Sequence, residues 1–340
     1  MSKARIEWLD LFRGIAAIFV VGYHYRYYLG APRLSFGFVA VDLFFVLSGI
    51  VLGQRYTRSI EEGMSFGRFA AIRLIRLYPL TFLAGLFVVA MNLAGVPTGY
   101  MVASADYGAW TLFTLTPMLS PTPFPPDGPV WSLWAEFVTN AIWFFALKRG
   151  RRLVAIVGAM AVIATIVVAI LNGSLDFGFG PGLRALAGAA VRAMAGFSIG
   201  LLIASRPWRN GVSPALLIAL LGSLCIAYPS YPGWIISLAT VAVGALLLAS
   251  LAAASAPSYW LGRVSRWMGM ASFPIYLIHA PAGRLLPLAP RGVPHVVVVL
   301  VLIGLPSLIA TIMNESIVGY LQRRFRQRPG PNLSGCQLER

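Results

Sequence analysis

LDLFRGIAAIFVVGYHYRYYLG, residues 9–30, is an apolar run of membrane-spanning length that nevertheless holds Arg13 and His24. A hydrocarbon core roughly 30 Å thick needs about 20 apolar residues in a helix. An ionisable side chain inside it is costly unless it faces protein or a water-filled cavity, which makes Arg13 and His24 functional candidates. Lys3 and Arg5 precede the run as they would in a signal peptide, but the bulky YHYRYYL of residues 23–29 stands where a small-residue cleavage site would lie. The segment therefore reads as an uncleaved first helix.

The rest of the chain agrees with that reading. Of its 340 residues 58% are apolar and 11% charged, and the mean hydropathy is +0.77, which indicates an all-α, polytopic membrane bundle. The formal net charge of +16 comes from short basic clusters between apolar runs, without the basic, aromatic-interleaved stripe of a nucleic-acid surface. No nucleic-acid partner is expected. Cys225 lies in an apolar segment and Cys336 in a polar tail, so no disulfide framework is implied.

Apolar runs fall at 9–29, 35–53, 69–93, 130–147, 152–171, 184–204, 211–229, 231–254, 268–288 and 294–320, predicting ten transmembrane helices. The stretch YGAWTLFTLTPML (107–119) is short and runs into SPTPFPPDGP, so it is expected to be re-entrant or interfacial. With the N-terminus inside, 21 of the 27 Lys and Arg fall on the cytoplasmic side. Arg26, Arg33, Arg184, Arg284 and Arg291 fall outside, and Arg192 lies within a span. Both termini are thus expected in the cytoplasm. Residues 1–325 form one membrane domain, and 326–340 form a polar tail with no apolar pattern to hold it.

Five polar constellations lie inside this apolar frame. Arg13 and His24 are eleven residues apart, nearly the same helix face and about 16 Å along the axis. Asp10, three residues before Arg13, can pair with it. Arg13 is then either a cytoplasmic flanking charge held by Asp10 or a working group, and His24 either a packing residue or a proton-transfer group. In FGRFAAIRLIRLYPL (66–80), Arg73 and Arg76, preceded by Arg68, oppose the dipole of the third helix unless an anion such as phosphate binds there. Positive-inside flanking is the alternative. In PVWSLWAEFVTNAIWFF (129–145), Ser132, Glu136 and Asn140 recur every fourth residue as a polar stripe, with an ion pair to Arg192 or Arg184 as the structural alternative for Glu136. In SFPIYLIHAPAGR (272–284), Ser272, Tyr276 and His279 share a face, where His279 reads as support rather than chemistry. Asp42 is left as a possible wall of a site, Ser48–Gly49 reads as close helix packing, and His295 as interfacial.

Three scattered histidines and the lack of CxxC or HExxH give no metal set, and no Walker loop, GxGxxG or GxSxG occurs. In combination these segments resemble acyltransferase family 3, the membrane O-acetyltransferases of bacterial surface polysaccharides. LDLFRGIAAIFVVGYH matches that family's Arg-x10-His first helix and VDLFFVLSG its second-helix signature. FAAIRLIRLYPL is similar to its Arg-x-x-Arg start of the third helix, VWSLWAE, with Trp131, to its Trp-Ser-Leu block, and SFPIYLIH to its late Tyr-x-x-His motif. Two departures are visible: NESIVGYLQRRF keeps only the glutamate of a Glu-x-Pro ending, and no extracytoplasmic esterase-like domain follows, so a stand-alone transferase is expected.

The resemblance implies a ten-helix domain in a bacterial cytoplasmic membrane and an acyl-CoA donor, usually acetyl-CoA, with Arg73 and Arg76 on its phosphates. It implies His24 as general base on a carbohydrate hydroxyl, Glu136 holding the imidazole or the sugar, and Arg13 stabilising developing charge. Asp10, Asp42, Trp131, Ser132, Tyr276 and His279 would bind substrate or support these groups. A covalent acyl-His24 relay across the bilayer is the alternative chemistry. A transporter or flippase using Arg13, His24 and Glu136 as a polar path is the alternative function, opposed by the absence of an inverted repeat. A purely structural scaffold leaves the buried ionisable groups without a reason.

Overall fold

The computed structural model describes residues 3–96, 109–117, 128–177, 182–206, 213–227, 232–254 and 257–327. The Pro-rich stretch 120–127 and the tail from 328 onward lie outside them. Among the described residues all regular structure is helical: α1 Lys3–Tyr25, α2 Ala40–Arg55, α3 Thr57–Glu61, α4 Phe66–Leu93, α5 Ala109–Thr114, α6 Val130–Arg149, α7 Arg151–Asn172, α8 Gly182–Ser205, α9 Pro214–Ala227, α10 Gly233–Ala253, α11 Tyr259–Ala282, α12 His295–Leu302 and α13 Gly304–Gln327. Short 3₁₀ segments, Pro32–Val39 and Gly283–Leu288, lead into α2 and out of α11.

Among the described residues seven segments are long and apolar enough to cross a membrane: Gly37–Arg55, Phe66–Leu93, Val130–Arg149, Arg151–Asn172, Arg184–Ser205, Gly233–Ala253 and His295–Arg324. The other three apolar runs are also helical. They are the 14-residue α9 and the long helices α1 and α11, and in the last two the polar residues lower the mean hydropathy. Within 107–119 residues 109–117 are described and their helix is the six-residue α5, too short to span, with Phe113 packed on Gly85 of α4. The run 294–320 divides between α12 and α13 because Pro306 has no N–H to give the carbonyl of Leu302.

Lipid tails are as apolar as leucine, so helices in a membrane associate by close packing rather than by expelling water. Glycines set that approach. A Cβ on Gly200 would lie 2.1 Å from the Val46 carbonyl, and one on Gly49 2.3 Å from that of Phe197, which locks α2 against α8. The expectation that Ser48–Gly49 permits close packing holds at Gly49.

A second seam joins α1 to α11, where a Cβ on Gly14 would meet Met268 at 2.5 Å and one on Gly269 would meet Asp10 at 2.6 Å. Glu7 pairs with Arg266 at one end of this seam and His24 meets His279 at the other. The two helices therefore run parallel, and their polar residues fall at matching depths.

Candidate active site

Four elements, α1, α4, α6 and α11, with Ser48 of α2, enclose a column of polar side chains. At the level of the first turns of α1, Arg13 Nη1 approaches Asp10 Oδ1 at 3.4 Å, and both side chains are partly exposed. Arg13 also lies within electrostatic reach of Arg76 and Glu136, Asp10 of Arg76 and Arg55, and Arg73 of Glu136, Arg76 and Arg55. Positive charge is in excess here, so the cluster suits an anion.

Arg73 and Arg76, paired in sequence, take different positions. Arg73 is buried, donates to Asn140 Oδ1 at 2.9 Å, and sits over the rings of Tyr56 and Phe69 at 5.4 and 5.8 Å. Its Nε has no partner among the described residues. Arg76 stays half-buried.

In the middle of the column Ser48 Oγ donates to Glu136 Oε1 at 3.0 Å. Spacing had offered Arg192 or Arg184 as the partner of Glu136. Arg192 is instead bonded to Asp42, and Arg184 is exposed. One turn away, Ser132 Oγ and Tyr276 OH share a 2.6 Å hydrogen bond, and both reach the Pro129 carbonyl, at 3.0 and 3.1 Å. Ser272 turns back to its own helix, donating to the Gly269 carbonyl at 2.7 Å.

The column ends at His24, whose Nδ1 lies 2.7 Å from Nε2 of His279. The ring centroids are 4.9 Å apart and the planes differ by 12°. A 2.7 Å contact inside a 4.9 Å separation leaves about one ring radius at either end, so the imidazoles meet edge to edge in nearly one plane. Nε2 of His24 makes no hydrogen bond among the described residues, and the residue is half-buried. Tyr25 fixes the far side, its hydroxyl donating to the His279 carbonyl at 2.7 Å. It fits because residue 283 is glycine, where a Cβ would stand 2.1 Å from that hydroxyl. His279, read from spacing as support, lies against His24, the place that the resemblance had offered to Glu136.

Asp42 and Trp131 belong to a separate clamp. Arg192 gives Nε to Asp42 Oδ1 at 2.6 Å and Nη2 to Oδ2 at 2.7 Å. Its remaining bonds go to the carbonyls of Phe177 at 2.8 Å and Phe38 at 3.2 Å, and its guanidinium lies 5.4 Å from the Trp131 ring centre. The cost of an unpaired charge in a span carried the signal: Asp42 and Arg192 are the single carboxylate and single cation well inside their runs.

Two further groups gave no such signal. Arg284, counted as an outer flanking charge, is fully buried and donates to Asn92 Oδ1 at 2.7 Å and to the Val96 carbonyl. Tyr23, beside His24, donates to Asp176 Oδ2 at 2.7 Å. His295 stacks on Tyr28 with centroids 4.3 Å apart. Among the described residues no three His, Cys, Asp or Glu gather as a metal site.

A half-buried imidazole with an open nitrogen, joined by a polar column to an anion-favouring arginine cluster, is equipped for base-assisted group transfer. A family model described as an acyltransferase domain, that of acyltransferase family 3, matches residues 6–313. Protein 2 in the picA locus of Rhizobium radiobacter is 35% identical over 151 residues, 40% of this chain and 78% of that protein. No solved structure matches the chain. With the family model extending from the start of α1 into α13, the chain belongs to acyltransferase family 3 and is an acyltransferase.

Proposed function

We propose that the protein transfers an acyl group, acetyl in the simplest case, from acyl-CoA to a hydroxyl of a carbohydrate acceptor such as a surface polysaccharide or lipid-linked sugar. Its setting in this reading is a bacterial cytoplasmic membrane, with both termini and the arginine cluster on the cytoplasmic side. The observation that carries the proposal is the position of His24: a half-buried imidazole, Nε2 unpartnered among the described residues, on the same helix face as Arg13 of the cluster.

Arg76 and Arg73 hold donor phosphate by charge and planar donors. The thioester reaches along the column, where the packed helices keep water away from it. As the acceptor oxygen bonds to the thioester carbon, its proton passes to His24 Nε2. When the carbon–sulfur bond breaks, sulfur takes that proton and CoA leaves as the thiol. Arg13, at the foot of the column, stabilises negative charge on the donor. Glu136, held by Ser48, offsets the repulsion that Arg13 and Arg73 each meet from Arg76.

Purified protein given radiolabelled acetyl-CoA and a panel of glycans tests this reading. Wild type should label a glycan, and His24→Ala should fold and bind donor but lose about 10²-fold or more in kcat. Near-normal turnover by His24→Ala would remove His24 from the chemistry. Incubation with donor alone separates two routes: label trapped on His24 supports the acyl-histidine relay, and its absence supports direct transfer.

A further inference from the structure

We infer that His279 is a positioning residue that sets the tautomer of His24, so that two neutral histidines do what a histidine and a carboxylate do elsewhere. The inference rests on the acyl-transfer reading for its consequence, but on geometry alone for the tautomer.

The hydrogen bonds can be followed from one end. Nδ1 of His279 lies 3.2 Å from the carbonyl oxygen of Ile275. A carbonyl only accepts, so this nitrogen carries the proton. In a neutral imidazole the other nitrogen then holds a lone pair, so Nε2 of His279 accepts from its neighbour. That neighbour is Nδ1 of His24 at 2.7 Å, which must be protonated. The chain ends on Nε2 of His24, left with a lone pair and no partner among the described residues.

The near-coplanar, edge-to-edge rings direct the shared proton along the lone pair of His279. The Tyr25 hydroxyl on the His279 carbonyl, and the Tyr276 ring 6.0 Å from the His279 ring, hold the second imidazole in place.

The arrangement matters most during transfer. Once Nε2 of His24 has taken the acceptor's proton, the ring is a cation and its Nδ1–H bond to His279 becomes charge-assisted and stronger. His279 thus favours the protonated base without a buried carboxylate, whose own charge would need compensation when the pair is at rest.

The chain has three histidines, so nitrogen-labelled histidine gives a spectrum that single variants can assign. NMR of wild type in detergent should show His24 protonated at Nδ1 and lone-paired at Nε2. His279→Gln, which can present an acceptor oxygen near the same point, should keep that tautomer and most of kcat. His279→Leu should leave His24 as a mixture of tautomers and lower kcat ten- to hundredfold, on the order seen when the orienting partner of an imidazole is lost, with KM for acetyl-CoA unchanged.

A wild-type His24 protonated on Nε2 would overturn the inference, as would a folded His279→Leu with wild-type kcat. If His279→Leu fails to fold, the wild-type tautomer and the His279→Gln variant still decide it. If wild type transfers no acetyl group while the tautomer is as stated, the functional reading fails and the histidine pair stands.

Discussion

Asp42–Arg192 and Asp10–Arg13 are the same two side chains in different settings. Arg192 is 1% exposed, and each of its nitrogens is bonded, two of them to the Asp42 carboxylate at 2.6 and 2.7 Å. Arg13 makes one contact of 3.4 Å to Asp10, with side chains 23% and 20% exposed. The first pair ties α2 to α8, and four of the five N–H groups of Arg192 are bonded within the protein. The second has spare donors beside Arg76 and at the foot of the column toward His24. A charge pair inside a membrane protein is a fastener when saturated and a binding element when it is not.

The largest effect should come from breaking the saturated pair. Asp42→Ala or Arg192→Ala leaves a buried charge alone, and should cost about 3–5 kcal/mol, read as lost resistance to unfolding in detergent. The double change Asp42→Leu with Arg192→Met should recover most of this, because an apolar pair of similar volume carries no desolvation penalty. Single variants as stable as wild type would erase the distinction between the pairs.

Arg13→Ala tests the open pair. Its stability should change by less than about 1 kcal/mol, while the KM for acetyl-CoA rises about tenfold, as for loss of one charge-assisted hydrogen bond to the donor. A large loss of stability with normal KM would make Arg13 a second fastener.

Arg73 and Arg76 sharpen the contrast within one helix. Arg76→Ala should raise the KM for acetyl-CoA about tenfold, the order of one charge-assisted hydrogen bond, with stability intact, and lysine should rescue it only in part. Arg73→Ala should raise KM and also lower the unfolding temperature, because it leaves Asn140 without its buried donor. Identical behaviour of the two would contradict their different burial.

The smallest effect is expected at Ser48→Ala, which removes the hydroxyl from Glu136. About 1 kcal/mol in kcat/KM, a several-fold change, follows from one neutral donor to a carboxylate. A loss as deep as that of Arg13→Ala would make Glu136 a primary group rather than a counter-charge.

The helices were legible because a bilayer allows few solutions. Long apolar runs must be helical to satisfy their backbone, and the ten predicted runs all hold helices. The interruption at Ile303 was missed, although Pro306 marks it, because hydropathy alone does not register a missing N–H. The burial of Arg284 was missed for a related reason. A cation near the end of an apolar run reads as a flanking charge, and only the approach of Asn92 and Val96 shows it to be enclosed.

By itself the sequence determined which residues are expensive to bury: Asp10, Arg13, His24, Asp42, Arg73, Glu136, Arg192 and His279 stand out because water is absent around them. Helical periodicity also determined which of them share a face, since that depends on neighbours along one chain. Only the tertiary structure decided the partners. Asp42 with Arg192 and His24 with His279 are separated by 150 and 255 residues, and no local rule links positions so far apart. Glycine contacts set the depth at which each pair of helices meets, and depth decides whether a buried charge finds a saturating partner or stays open to a ligand.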